Sequence, residues 1–279
     1  MDAQENGMAG LNPLRLACRV WTLGLTLLAT QAPAAEGPLR LCMAESAALP
    51  AGVWLEAGRD EPAQRQLDVF TAALLARQAE RPVLALVLPW RRCLLEVQSG
   101  RVDGVLGLSY TPERAEWAVF PLRQGRPDDA LRLRRDAYHW YVNTTQPPRW
   151  DGARLQGDKP LRLGTVAGYS VVALLHQQGY ELDTQTANSA ATLRMLALGR
   201  LDAAALLPGE VEPWLAREPT WSRHIQRLDP PLEQRSYFLA FSQAYAQREP
   251  EQLARIWQAL AVVRDSALQR RAEADAVGG

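Results

Sequence analysis

In the stretch "LSYTPERAEWAVFP", Leu108 to Pro121, a hydroxyl, a proline and an arginine stand at positions 111, 112 and 114. Thr111-Pro112 reads as a helix start, with a hydroxyl cap and proline at the first helical position. Arg114 then falls in the first turn, where the positive end of the helix dipole disfavours a cation by ~0.3–1 kcal/mol. A guanidinium placed there has two uses. It can present a bidentate fork to a carboxylate, supported by the exposed N–H groups of the helix start. Alternatively it pairs at the surface with Glu113 or Glu116, which contributes only ~0–1 kcal/mol. The 31 basic residues include a single lysine, Lys159, so an arginine carries less weight here than in a mixed composition. Other chemistry is sparse. His139, His176 and His224 are scattered, and with the cysteines they make no metal-ligand spacing, so no metal and no cofactor is expected. There is no phosphate-binding loop, dinucleotide fingerprint or histidine-based zinc motif. Gly168-Tyr169-Ser170 lacks the second glycine of a nucleophile elbow.

A chain of 279 residues with an ordinary apolar fraction suits two lobes of roughly 100–150 residues. The formal net charge of zero argues against a general nucleic-acid binder, which needs a basic excess. Near the start, Arg15 and Arg19 precede the apolar run "VWTLGLTLLA", and Ala32-Pro33-Ala34 follows as an A-x-A cleavage site. This pattern predicts a cleaved signal peptide over 1–35 and a periplasmic mature protein, an uncleaved anchor being the alternative. The run falls short of the ~20 apolar residues that a membrane span requires. Cleavage removes Cys18 and leaves Cys42 and Cys93, an even pair in an oxidising compartment, for which a disulfide is expected and two buried thiols are the alternative.

The elements that must position these groups follow from periodicity. "PLRLCMAE" alternates as a strand, and "RQLDVFTAALLARQA" lines Leu67, Phe70, Leu74 and Leu75 along one helical face. "PVLALVLPW" is a buried strand ended by Pro89, "RRCLLEVQSG" a helix stopped by Gly100, and "VDGVLGL" the next strand. From Arg162 the arrangement recurs: strand "LRLGTVAG", helix "YSVVALLHQQG", then helix, glycine and strand in "TLRMLALGRLDAAALL". "SGRVDGVLG" and "LGRLDAAAL" repeat one pattern, Gly-Arg-apolar-Asp-small, about a domain-length apart. Glycine takes the left-handed helix cap, the apolar residue enters the sheet, and aspartate sits at the strand start. The fold class is therefore α/β with two lobes of similar design, each a mixed sheet flanked by helices. "DAYHWYVNTTQPPRWDG" reads as a crossover strand into the second lobe and "SYFLAFS" as the strand returning from it. The end, "PEQLARIWQALAVVRDSAL", is an amphipathic helix with Leu253, Ile256, Trp257, Leu260 and Val263 on one side. The expected divisions are the first part of lobe one over 36–137, lobe two over 138–236, and return strand with closing helices over 237–279.

"PWRRCLLEVQSGRVDGVLGLSYTPERAEWAVFP" resembles lobe one of the type 2 periplasmic solute-binding proteins, the family 3-like, amino-acid-type binding proteins of ABC importers. "LRLGTVAGYS", "SAATLRMLALGRLDAAAL" and "YFLAFSQAYAQREPEQLARIWQAL" are similar to that family's second lobe, return strand and closing helix, so the likeness covers essentially the whole mature chain. The resemblance implies that the two lobes close on a small-molecule ligand by hinge motion and that a membrane permease of an ABC transporter is the partner. A monomer is expected, with no nucleic acid bound. It also implies a ligand-binding set of Ser109, Tyr110, Thr111 and Arg114 in lobe one, with Gly168, Tyr169 and Ser170 at a helix N-terminus in lobe two. Amino-acid binders of the family place an aspartate after the second Gly-Arg-apolar-Asp strand to hold an α-ammonium. Here Leu207 and Pro208 stand in that place and the neighbouring acids are Glu210 and Glu212, which argues against an ordinary α-amino acid. Trp54 and Trp90 are either a stacking wall for an apolar ligand body or core residues beside strand ends. The same fold hosts dehydratases resembling cyclohexadienyl dehydratase, for which Glu45 is the candidate acid or base. A binding protein is the expectation over an enzyme, with a periplasmic sensor or orphan binding protein as the other alternative.

Overall fold

The computed structural model describes residues 37–46, 49, 51–57, 67–266 and 268–270. The signal peptide read over 1–35 lies outside them. The first half of the chain runs β1 (Leu39–Ala44), β2 (Val53–Glu56), α1 (Leu67–Gln78), β3 (Val83–Leu88), α2 (Trp90–Gln98), β4 (Gly104–Ser109), α3 (Pro112–Ala115) and β5 (Ala118–Val119). A small hairpin, β6 (Leu122–Arg123) with β7 (Arg126–Pro127), leads to the long strand β8 (Arg134–Asn143). The hairpin β9 (Arg149–Trp150) and β10 (Leu155–Gln156) precedes β11 (Leu163–Val166), α4 (Val171–Gln177), β12 (Leu182–Thr186), α5 (Ser189–Ala197) and β13 (Ala203–Leu206). The chain continues through α6 (Pro208–Arg217), α7 (Pro219–Ser222), β14 (Ile225–Arg227), β15 (Glu233–Ser242), α8 (Gln243–Arg248) and α9 (Pro250–Arg264).

The strands join in the order β12-β11-β13-β8-β15-β4-β1-β3-β2. Two parallel groups, β3-β1-β4 and β12-β11-β13, sit toward the ends, and the antiparallel strands β8 and β15 join them in the middle. Each of those two strands has a divided allegiance. Arg134–Tyr138 of β8 pairs with Glu233–Tyr237 of β15, whereas His139–Val142 pairs with β13 of the second lobe. The second half of β15 pairs with β4 of the first lobe. The two lobes thus meet along one short antiparallel ladder. Antiparallel β2 closes the first lobe's edge, and it is, like β12 and α6, an element that the apolar patterning did not mark. Leu253, Ile256, Trp257, Leu260 and Val263 of α9 are buried on one face, as their spacing predicts, and α9 packs on α1 over Met43 and Leu75. Cys42 of β1 and Cys93 of α2 form a disulfide, with their Cα atoms 5.6 Å apart.

The repeated Gly-Arg-apolar-Asp pattern has a structural counterpart. Strands β1 and β11 each begin within the same tetrapeptide, Pro-Leu-Arg-Leu at 38–41 and at 160–163. In the first lobe the Arg40 backbone N–H donates to Asp103 Oδ2 at 2.8 Å, and Arg40 Nη2 donates to Oδ1 at 3.1 Å. In the second, the Arg162 N–H donates to Asp202 Oδ2 at 2.8 Å and Nη2 to Oδ1 at 2.8 Å. Both aspartates are buried at strand starts, where the arginine covers the charge and its backbone satisfies the other oxygen. Arg248 of α8 adds a contact to Asp103 at 2.9 Å, tying the closing helices to that corner.

The Arg162 hydrogen bonds outweigh burial and lower the Asp202 pKa from 3.8 to about 2. A carboxylate depressed in this way stabilises the fold above its unfolded pKa, and the contribution fades as the pH falls through the folded value. Asp202→Asn is therefore expected to cost ~1–2 kcal/mol at neutral pH in urea denaturation, with the gap from wild type closing between about pH 5 and about pH 2. Equal stabilities at pH 7 would refute the role of this corner.

Candidate functional site

The residues around Arg114 are placed by a local irregularity in β4. Gly107 takes a φ of +87°, and the register between β4 and β15 slips between Phe238 and Leu239 opposite it. A side chain there would be strained by the left-handed backbone and would press within 3.2 Å of the Arg134 guanidinium. The strand then ends at Ser109, and Thr111 caps a single turn of helix: its Oγ1 accepts from the Arg114 N–H at 3.2 Å, with Pro112 first in the helix. Arg114 is not a surface residue paired with Glu113 or Glu116. It is only 8% exposed. Its Nη1 donates to the Ser109 carbonyl at 2.9 Å and to Ser109 Oγ at 2.6 Å, and its Nη2 donates to the Gly168 carbonyl at 2.8 Å. Burial lowers its pKa, and among the described residues no carboxylate lies within ion-pair distance of it.

The Gly168 contact crosses from one lobe to the other, and three more stand near it. Ser109 Oγ donates to Ser170 Oγ at 3.0 Å, Trp90 Nε1 donates to the Gly168 carbonyl at 3.3 Å, and Asn188 Nδ2 donates to Glu45 Oε1 at 2.8 Å. Gly168 is required at this crossing. Its φ is +83°, and a Cβ would stand 3.1 Å from Leu94 Cδ1 and 3.5 Å from Trp90 Cδ1, both on α2. Asn188 serves two contacts, because its Oδ1 also caps α5 by accepting from the Ala191 N–H at 2.8 Å. Glu45, Trp90, Ser109, Arg114 and Tyr169 line a cleft of about 1830 Å³ between the lobes. Thr111, Gly168 and Ser170 stand behind that wall as cap and bridge. Trp54 is half-exposed on edge strand β2, and Tyr110 packs edge-on against Phe120 at 5.2 Å; neither lines the cleft.

Several lining residues carry chemistry that the sequence did not assign to a site. Arg134, Asp136 and Tyr138 alternate along β8, so they share one face of the strand. Period-two spacing inside the crossover was the available signal. Arg134 Nη1 donates to Asp68 Oδ1 at 2.6 Å; burial opposes its charge, but Asp68 and Asp136 outweigh burial and keep it cationic. Burial raises the Asp136 pKa against the pull of Arg134. Glu210 lies in the first turn of α6, just past Leu207 and Pro208. Ser189 Oγ donates to Glu210 Oε2 at 2.6 Å and Tyr169 O–H donates to the same oxygen, while burial nevertheless raises the pKa of this carboxyl. Glu212, the other acid of this stretch, accepts from the Tyr141 hydroxyl at 3.0 Å. The cleft thus brings a buried guanidinium, Arg114, and two half-buried carboxyls, Asp136 and Glu210, together without pairing them directly.

No family model matches the sequence, and no curated protein is similar to it in sequence. Solved structures do match. A histidine kinase sensor domain with similarity to periplasmic binding proteins superposes with a TM-score of 0.66 at 20% identity, over 87% of this chain and 97% of its own. An ancestral arginine-binding protein bound to glutamine gives 0.65 at 16% identity, over 88% of this chain and 99% of the other. The chain has the two-lobed, type 2 periplasmic-binding-protein fold. ArtJ, the arginine-, lysine- and histidine-binding protein of Geobacillus stearothermophilus, shares it with a TM-score of 0.65 at 15% identity, over 87% of this chain and 96% of that one. In a periplasmic-binding-protein fold the interlobe contacts set the balance between open and closed forms.

Among those contacts, Glu45–Asn188 can be reversed without harming the helix cap, since aspartate caps as well as asparagine. Asn188→Asp faces two carboxylates across the cleft, a repulsion of ~1–4 kcal/mol at about 4 Å. The ligand-free variant is expected to open, seen as a larger radius of gyration by X-ray scattering, and Glu45→Gln in the same chain is expected to reverse the change. A wild-type scattering profile for Asn188→Asp would dismiss the latch.

Proposed function

We propose that this chain is an exported solute-binding protein that closes on a small carboxylate-bearing ligand and presents it to the permease of an ABC-type importer. The observation that carries the reading is the Arg114 guanidinium. It is buried at the cleft wall, its partners are two carbonyls and a serine hydroxyl, and it has no counter-anion among the described residues. A buried charge is costly unless paired, and a ligand carboxylate supplies the missing pair by displacing a carbonyl contact. Because Arg114 reaches the Gly168 carbonyl in the other lobe, its occupancy is coupled to closure.

Glu210 and Asp136 in the same cleft favour a ligand that carries a cationic group beside its carboxylate. The acid one helical turn past Leu207 and Pro208 supports a polar ligand whose cation sits elsewhere than the α-ammonium of an ordinary amino acid. The division into lobes at 36–137, 138–236 and 237–279, a monomeric state and a periplasmic location belong to this reading. The bridge between Cys42 and Cys93 supports the location, since such bonds persist in oxidising compartments. Glu45, the candidate acid or base of a dehydratase, is engaged by Asn188 across the lobes, which supports a positioning role. The likeness to a kinase sensor domain supports a second reading in which the same closure signals to a membrane partner.

A thermal-shift screen of the purified protein against small carboxylates, amino acids, polyamines and aromatic acids tests the ligand class, since ligands that bind the folded form raise its melting temperature. For a compound so identified, Arg114→Ala is expected to weaken binding more than tenfold in calorimetric titration while the protein stays folded. Unchanged affinity would sink the anion role. An enzyme would consume the compound, whereas a binding protein returns it intact.

A further inference from the structure

Tyr237 lies at the junction of the crossover ladder with the Arg114 corner. It is the direct cross-strand partner of Ser109 on β4 and of Arg134 on β8. Directly opposed residues of an antiparallel ladder project on the same face, so Ser109, Tyr237 and Arg134 form a row across three strands. All three line the cleft. The Arg134 guanidinium stacks over the Tyr237 ring at 5.6 Å, which fixes the ring from one side. The residue is 4% exposed. Among the described residues its hydroxyl makes no hydrogen bond of good geometry. The Tyr138 phenol stands close enough for a weak, poorly aligned hydrogen bond, which leaves the Tyr237 hydroxyl without a well-formed partner.

A buried hydroxyl left without a partner is destabilising, and buried polar groups are overwhelmingly paired. Among the described side chains only one other nitrogen or oxygen is in this condition, Trp140 Nε1, which does not line the cleft. Position also decides what kind of atom would satisfy Tyr237. Its neighbours in the row are a serine hydroxyl and a cation, and Arg114 interacts with it electrostatically. A phenol between two guanidinium groups acts as a donor, and the acceptor that fits there is an anionic oxygen.

We infer that Tyr237 is a ligand-binding residue, whose hydroxyl donates to a carboxylate oxygen of the ligand gripped by Arg114. This rests on the proposed function. It adds that the grip comes partly from the return crossover, so the element joining the lobes itself reads the ligand. A contact on β15 makes occupancy felt at the strand that pairs with both β4 and β8.

The test is Tyr237→Phe, which keeps the ring and its stacking with Arg134 and removes only the hydroxyl. Wild type, Tyr237→Phe and Arg114→Ala are titrated with β-alanine, γ-aminobutyrate, δ-aminovalerate and propionate, carboxylates whose cation lies away from the α-position or is absent, and their ligand-free melting temperatures are recorded. The expected result is a ligand-free melting temperature equal to or above wild type for Tyr237→Phe, with five- to twentyfold weaker binding of whichever probes wild type binds. A lowered ligand-free melting temperature would overturn the inference, because the hydroxyl would then serve the fold. Undiminished binding in Tyr237→Phe with binding lost in Arg114→Ala would overturn it while leaving the proposed function in place. Failure of wild type to bind any of the four would overturn both together.

Discussion

The antiparallel ladder between Arg134–Tyr138 and Glu233–Tyr237 is the constraint on which the rest of the molecule depends. Beyond it, each strand leaves for a different lobe, β8 to pair with β13 and β15 to pair with β4. A ladder of this length holds the two lobes in register through few backbone bonds. The same ladder forms part of the cleft wall. Arg134, Asp136, Tyr138 and Tyr237 face the cleft, since alternate residues of a strand share a face and directly opposed residues project together. Connection of the lobes and lining of the cleft are therefore carried by the same few residues.

The lobes also meet at a close approach of backbone. The turn at Gly168 lies against α2, where a Cβ would crowd Leu94 at 3.1 Å, and its carbonyl accepts from both Arg114 and Trp90. Ser109–Ser170 and Glu45–Asn188 extend the contact to either side. These bonds are individually modest, each contributing about 1 kcal/mol. Together they are of the size at which a ligand's differential affinity can decide between two forms. Lobe stability is kept separate from this balance. The Arg40–Asp103 and Arg162–Asp202 corners brace each lobe internally, away from the cleft lining, so that movement between lobes need not strain either one.

The electrostatics of the cleft follow from the same separation. Among the described residues Arg114 is buried with no counter-anion in contact, and Glu210 is held by two hydroxyls with no counter-cation in contact. In a low-dielectric setting a charged group with no opposite charge beside it is destabilising.

Much of this was legible in the residues taken alone. Thr111-Pro112 marks a helix start because proline needs no N–H and threonine supplies one acceptor, and Arg114 follows by counting. The face of α9 follows from helical periodicity, and the twin Gly-Arg-apolar-Asp patterns follow from the left-handed cap that ends a helix before a strand. Short elements escaped. β2 and β12 are edge strands without a doubly buried apolar run, and α6 begins at a proline and contains a second, Pro213. The site escaped for a different reason. Asn188 meets Glu45 across 143 positions, and Tyr237 stands beside Ser109 only because a return strand pairs there. Sequence by itself determined the α/β class and which residues could cap, bury or turn, because those depend on neighbours along the chain. Only the tertiary structure decided that Arg114 is buried against a carbonyl of the other lobe, because that depends on where two distant segments are brought together.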